Sequence, residues 1–90
     1  MNTNILAIGS LSNDLYRIAC MAQRGSKTNA LRFLKESSRW IKELNLLPPY
    51  LKKIIKDIDP NAKEIDLETA EKYLMYSTLL QNFVLHHKVE

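Results

Sequence analysis

The chain has 90 residues, of which 46% are hydrophobic and 26% are charged, and its formal net charge is +3. A chain of this length forms one small domain, which is too little for a substrate domain joined to a cofactor domain. Its apolar content excludes a disordered chain, and its 2 glycines and 3 prolines exclude collagen-like or low-complexity sequence. We therefore expect a single domain over residues 1–90.

The ends of the sequence carry no recognisable targeting signal. The segment Met1–Ser10 lacks a basic residue, and its apolar run Ile5–Ile8 is too short for a secretory signal. No segment reaches the roughly 20 consecutive apolar residues of a membrane span. Cys20 is the single cysteine, which excludes an intramolecular disulfide. These features predict a cytoplasmic protein without membrane contact.

The first predicted helix covers residues 8–24. Apolar residues in steps of three and four form a stripe on it: Ile8, Leu11, Leu15, Ile18 and Ala22. Gly25 suits the end of this helix, and Ser26 suits the cap of the next one. Gly9 and Ser10 are poor helix residues, so the start is open, and Ile5–Ile8 also fits a strand. We reject the strand because no second strand exists to pair with it.

The second predicted helix covers residues 28–46, and a short third helix covers residues 49–58. A broad apolar arc lies along the second helix: Ala30, Phe33, Leu34, Ser37, Trp40, Ile41 and Leu44. We assign Trp40 to the core because aromatic residues at helical spacing usually supply packed area. Pro48 ends the second helix, since proline restricts the residue before it, and Pro49 suits the first turn of the third.

The fourth predicted helix covers residues 67–87, with Asp66 as its N-cap. Its main apolar stripe contains Leu67, Ala70, Tyr73, Leu74, Ser77, Leu80 and Val84. A second apolar side contains Met75, Tyr76, Leu79 and Phe83. A helix that is apolar nearly all round is buried on two faces, so the second side predicts an interface between two copies. Together the four helices predict an all-α, antiparallel up-and-down bundle of three long helices and one short helix.

The sequence contains no pattern typical of a catalytic, cofactor or metal site, and the phosphate-binding and zinc motifs GxxxxGK(S/T), GxGxxG and HExxH are missing. His86 and His87 point about 100° apart on a helix, which does not suit one metal ion. Glu68 and Glu71 lack the i+3 histidine of a di-metal bundle site. We expect no catalytic residue, cofactor, metal or small-molecule substrate. A site built from these four side chains across two subunits is the catalytic alternative.

Charge is distributed unevenly along the chain. Residues 1–47 hold seven Lys and Arg against three Asp and Glu, whereas residues 60–90 hold three against five. The predicted basic surface of the first two helices contains Arg17, Arg24, Lys27, Arg32, Lys35, Arg39 and Lys42. Glu36 and Glu43 follow Arg32 and Arg39 by four residues. We therefore expect two ion pairs that partly neutralise this surface.

These patterns favour a small cytoplasmic interaction or regulatory protein without catalytic activity. It is expected to form a homodimer through the fourth helix and to be able to bind another protein. The alternative is a nucleic-acid-binding regulator that uses the basic surface. The sequence has no helix-turn-helix signal, because Pro48 and Pro49 occupy the turn after the second helix, so this alternative is the weaker one.

Overall fold

A computed structural model describes residues 3–87 of the chain. It contains the α-helices α1 Thr3–Gln23, α2 Lys27–Glu36, α3 Ser38–Lys42, α4 Pro49–Asp57 and α5 Leu67–His87. No strand occurs within residues 3–87, which confirms the all-α fold class. Helices α2 and α3 follow each other through Ser37 and together occupy the place of the predicted second helix. None of the helices described is long and apolar enough to cross a membrane.

Helix α1 begins five residues earlier than predicted, so Gly9 and Ser10 lie inside it. Glycine costs an interior helical position about 1 kcal/mol relative to alanine. Burial of the whole α1 stripe, Ile8 to Ala22, outweighs that cost. The rejection of a strand at Ile5–Ile8 is confirmed.

The link from α1 to α2 is a Schellman motif. The Ser26 N–H donates to the carbonyl oxygen of Met21 at 2.8 Å, and the Gly25 N–H donates to that of Ala22 at 3.2 Å. Gly25 has a φ of +87°, which glycine adopts without a Cβ clash. Ser26 precedes α2 as predicted, although its side chain makes no capping hydrogen bond.

Ser37 separates α2 from α3 and forms hydrogen bonds with backbone groups three residues away on either side. Its Oγ donates to the carbonyl oxygen of Leu34 at 2.6 Å, and the Trp40 N–H donates to the Ser37 carbonyl oxygen at 3.0 Å. This i to i+3 bonding tightens the turn. Helix α3 ends at Lys42, four residues before the predicted end. Leu46 then adopts a φ of 54° with its side chain 93% exposed, which starts the turn towards α4.

Helix α5 begins and ends where the sequence predicts. Asp66 caps it, because its Oδ1 accepts the Thr69 N–H at 2.7 Å. Hydrogen bonding to the side chain of Thr69, and then to its backbone, lowers the pKa of the Asp66 carboxyl. Most of its main stripe is buried or half-buried, but Leu67 is exposed. The Cβ of a helical residue tilts towards the helix N-terminus, so the side chain of the first residue points away from the packed body of α5.

The core lies along α1, against which α5, α2 and α3 pack. Besides the α1 stripe it includes buried residues of the other helices: Ala30, Leu34, Leu51, Ile54, Ala70, Tyr73 and Leu80. Two buried serines join α1 to α5: the Ser12 Oγ donates to the Ser77 carbonyl oxygen at 2.7 Å, and the Ser77 Oγ donates to the Ser12 carbonyl oxygen at 2.9 Å. Both hydroxyls are therefore satisfied inside the core. The complete up-and-down topology stays a prediction.

Candidate functional site

The predicted interface on α5 divides into two parts. Tyr76 and Phe83 are half-buried and pack against the hydrophobic core. Met75 and Leu79 lie one helical turn apart and are 53% and 38% exposed. We call Met75 and Leu79 the outer apolar pair. The second apolar side of α5 is therefore covered in part by this chain itself, and the outer apolar pair is the part that faces outwards.

Tyr76 also belongs to a polar contact between α4 and α5. Its Oη donates to Oδ2 of Asp57 at 2.6 Å, and the Nζ of Lys72 lies 3.2 Å from the same oxygen. The Tyr76 and Lys72 hydrogen bonds hold the pKa of Asp57 below its ordinary value. Desolvation, together with the bond to Asp57, raises the pKa of Tyr76 to about 12. No local pattern predicts this contact, because Tyr76 and Asp57 are 19 residues apart in the chain.

All seven residues of the predicted basic surface are exposed, from Arg17 to Lys42. The predicted ion pairs of Arg32 with Glu36 and of Arg39 with Glu43 were wrong. Within residues 3–87 the only ion pair joins Lys72 to Asp57, so no carboxylate lies within 4.0 Å of these cations. Exposed ion pairs gain little in water and cost side-chain entropy, which explains why the side chains stay apart. The seven cations therefore form no direct ion pair within the described residues, although the Asp14 carboxyl interacts electrostatically with Arg39 and Arg17.

Trp40 lies beside this surface and is held in place on both sides. Its Nε1 donates to Oδ2 of Asp14 at 3.0 Å, and the Arg39 guanidinium lies 4.6 Å from the centre of the indole ring. Burial raises the pKa of the Asp14 carboxyl, and the hydrogen bond from Trp40 partly opposes this rise. Trp40 packs against the core, as predicted, and its ring nitrogen is already engaged.

Two clefts open beside the basic residues. The first lies between α2 and the loop before α5, has a volume of about 410 Å³, and is lined by Thr28, Leu31, Arg32, Lys35 and residues 60–62. The second has a volume of about 220 Å³ and lies between the end of α3 and α4. Its walls include Ile41, Leu44, Leu47 and Ile55. Helical spacing predicts neither cleft: the first joins residues 28–35 to residues 60–62, and the second depends on the turn that brings α4 beside residues 41–47.

The four side chains of the catalytic alternative do not converge within one chain. Glu71 and His86 are 15 residues apart on α5, which corresponds to about 22 Å along a helix. The side chain of His87 lies outside the described part of the structure. In the described residues, no three His, Cys, Asp or Glu side chains are placed to hold a metal ion. Cys20 is half-buried on α1.

No protein-family model, curated protein or solved structure matches this chain. The surfaces of the described residues that offer chemistry to a partner are the outer apolar pair, the basic surface and the two clefts.

Proposed function

We propose that the protein is a small cytoplasmic interaction module without catalytic activity, and that it forms a homodimer through α5. The observation that supports this proposal is the outer apolar pair, in which Met75 and Leu79 present apolar surface to solvent beside Tyr76 and Phe83. Apolar surface removed from water contributes about 25 cal/mol per Å². A second copy of the chain would cover this surface with its own Met75 and Leu79.

An antiparallel two-fold pairing of α5 matches the sequence of the helix. Suppose that two α5 helices cross antiparallel at residue 77, so that Met75 of one copy packs on Leu79 of the other. Glu68 of one copy then lies opposite His86 of the other, because residue 77 is also midway between positions 68 and 86. All four side chains are exposed in one chain. A two-fold contact of this kind uses one surface patch twice. The acidic start of one α5 then lies beside the histidine end of the other, which favours the antiparallel direction.

The double substitution Met75→Glu with Leu79→Glu tests this interface. Light scattering on a sizing column should give twice the 10.4 kDa chain mass for the unmodified protein and 10.4 kDa for the variant. Two buried glutamates without partners would oppose association, whereas the exposed positions leave the monomer folded. Circular dichroism checks the fold.

The matched control is Leu67→Glu with Leu85→Glu. Both residues are exposed leucines of α5, and helical spacing places them on another side from Met75 and Leu79. This control adds the same charge and should remain dimeric. An unmodified protein that is monomeric, or a control that dissociates equally, contradicts the proposed interface.

The second candidate function is binding of nucleic acid by the basic surface. Its specific support is that seven exposed cations have no ion-pair partner in the described residues. Neutralised phosphates release counterions, so the affinity should fall steeply as salt increases. Fluorescence anisotropy with short DNA and RNA at about 50 mM salt provides the test, since nonspecific binders are retained at low salt. No change in anisotropy would remove this candidate.

A further inference from the structure

The cleft between α2 and the loop before α5 is lined by cations on one side and by a fixed turn on the other. Thr28, Arg32 and Lys35 follow each other at i, i+4 and i+7, so one face of α2 supplies all three. No carboxylate lines this cleft. Neither Arg32 nor Lys35 has an ion-pair partner among residues 3–87. The residues that line the cleft therefore carry two positive charges and no negative charge.

The opposite wall is ordered by its own hydrogen bonds. Asp59 Oδ1 accepts the Asn61 N–H at 3.0 Å, and the Asp59 carbonyl oxygen accepts the Ala62 N–H at 3.1 Å. Pro60 at the second position of this turn fixes its backbone further. The side-chain amide of Asn61 makes no hydrogen bond within the described part of the chain and lines the cleft. Little loop entropy is lost when a ligand binds to a wall that is already ordered.

We propose that this cleft binds a small phosphomonoester. A guanidinium matches two phosphate oxygens with parallel N–H bonds, and an ammonium adds a compact charge, so Arg32 and Lys35 are suited to hold the phosphate. Thr28 and Asn61 supply a hydroxyl and an amide for its remaining oxygens. Leu31 and the loop at Pro60 form an apolar wall for the organic part of the ligand. The volume of about 410 Å³ lies in the range of about 300–1,000 Å³ typical of small-molecule sites.

This site is independent of the proposed dimer, because no residue that lines it belongs to α5. Loss of dimerisation would leave the cleft unchanged, and loss of ligand binding would leave the dimer unchanged. The two proposals therefore fail separately.

Phenyl phosphate is the probe, and inorganic phosphate is the second arm. In two-dimensional NMR of the ¹⁵N-labelled full chain, phenyl phosphate should produce saturable shifts at the backbone amides of Thr28, Arg32, Asn61 and Ala62. Inorganic phosphate should shift the same amides but bind more weakly, because it has no organic group to contact the apolar wall. Equal affinity for the two probes would show that free phosphate is the ligand and would overturn the phosphomonoester.

The substitutions Arg32→Gln and Lys35→Gln together should weaken phenyl phosphate binding at least about tenfold, since charge-assisted hydrogen bonds are lost. Arg39→Gln with Lys42→Gln is the matched control: it removes the same charge from the same surface but lies outside the cleft. This control should keep the affinity within about twofold, because neither side chain lines the cleft and the direct hydrogen bonds from Arg32 and Lys35 to the phosphate are kept. Asn61→Asp keeps both cations, adds a carboxylate to the opposite wall and should also weaken binding.

Three further results overturn the proposal. The first is an equal loss in the cleft variant and in the control, which would indicate general attraction to the basic surface. The second is the lack of saturable shifts at the cleft amides with phenyl phosphate. The third is binding of an oligonucleotide without binding of phenyl phosphate, which would assign the cations to nucleic acid.

Discussion

The outward surfaces of α5 and of α2–α3 expose different kinds of side chain to solvent. Met75 and Leu79 on α5 are apolar and exposed, while Arg32, Lys35 and Lys42 on the other surface are charged and exposed. Lysine and arginine are well solvated and are usually exposed, so the basic surface is stable without a partner. Exposed apolar side chains, such as those beside Tyr76 and Phe83, are different: their removal from water lowers the free energy. This difference is the reason why a second copy is proposed for the α5 surface and an anion for the basic surface.

Neighbouring leucines on α5 give the sharpest test of where its buried side ends. Leu80 is 0% exposed and Leu79 is 38% exposed. Leu80→Ala should lower the free energy of unfolding by about 2–5 kcal/mol, since it creates a cavity in the core. Leu79→Ala should lower it by only about 1 kcal/mol in the monomer, because 38% of the Leu79 side chain is already exposed. Urea denaturation of dilute protein measures both values. Equal costs would place Leu79 in the core of the monomer and remove it from the proposed interface.

Tyr76→Phe tests whether the hydrogen bond between α4 and α5 stabilises the monomer without affecting association through the outer apolar pair. The loss of the hydrogen bond to Asp57 should cost about 1 kcal/mol in the free energy of unfolding. The mass in solution should stay unchanged, because the phenyl ring keeps its packing. A variant that dissociates without losing stability would instead assign Tyr76 to the dimer interface.

The same contact predicts a dependence of stability on pH. The pKa of Asp57 is lower in the folded chain, so its contribution is present above the ordinary value of 3.8 and is lost as pH falls through the folded value. The pKa of Tyr76 is raised to about 12, so its contribution is present below the ordinary value of 10.0 and is lost as pH rises towards 12. Thermal unfolding from pH 3 to pH 12 should show both losses, and Asp57→Asn should reduce the acidic one, leaving the loss that comes from Asp66. Parallel curves for the two proteins below pH 5 would contradict this role.

Gly9→Ala tests the side of α1 that packs against α5. A Cβ at Gly9 would lie 3.9 Å from Cγ2 of Val84, an ordinary contact distance. The substitution should therefore raise the free energy of unfolding by about 0.5–1 kcal/mol, through the better helix propensity of alanine. Thermal unfolding measures the change. A loss of stability would mean that α1 and α5 pack more closely than described.

Lys35→Gln with Lys42→Gln tests whether the basic surface contributes to folding. Neither lysine forms an ion pair within residues 3–87, so the free energy of unfolding should change by less than about 0.5 kcal/mol. Urea denaturation at low and high salt measures this. A larger loss of stability at both salt concentrations would show that the lysines stabilise the fold. It would weaken the contrast between the apolar surface of α5 and the basic surface.

Local signals predict α5 well, and the start of α1 differs from the prediction because of a long-range contact. Asp66 caps α5 as its position in the sequence indicates, and the α1 stripe is buried as its spacing indicates. The start of α1 was missed because packing against α5 overrides the low propensity of Gly9. The break at Ser37 was missed because it depends on a local side-chain hydrogen bond.

The candidate sites follow the same division between local and long-range information. The exposure of the seven basic residues follows from helical spacing, and the sequence predicted it. The split of the second α5 side does not follow from spacing, because Tyr76 is bound to Asp57 in another helix. The cleft at Arg32 and Lys35 needs the loop at Asn61, which lies 26 residues beyond Lys35 in the chain. Periodicity shows which face a residue occupies, and tertiary contacts decide what lies opposite it.

The measurement that tests the central claim most directly is the mass of the unmodified protein in solution, by light scattering at several concentrations. The proposed contact between two α5 helices predicts twice the 10.4 kDa chain mass, with dissociation on dilution. A mass of 10.4 kDa at every concentration would contradict the homodimer, and the basic surface with its cleft would then be the main candidate for function.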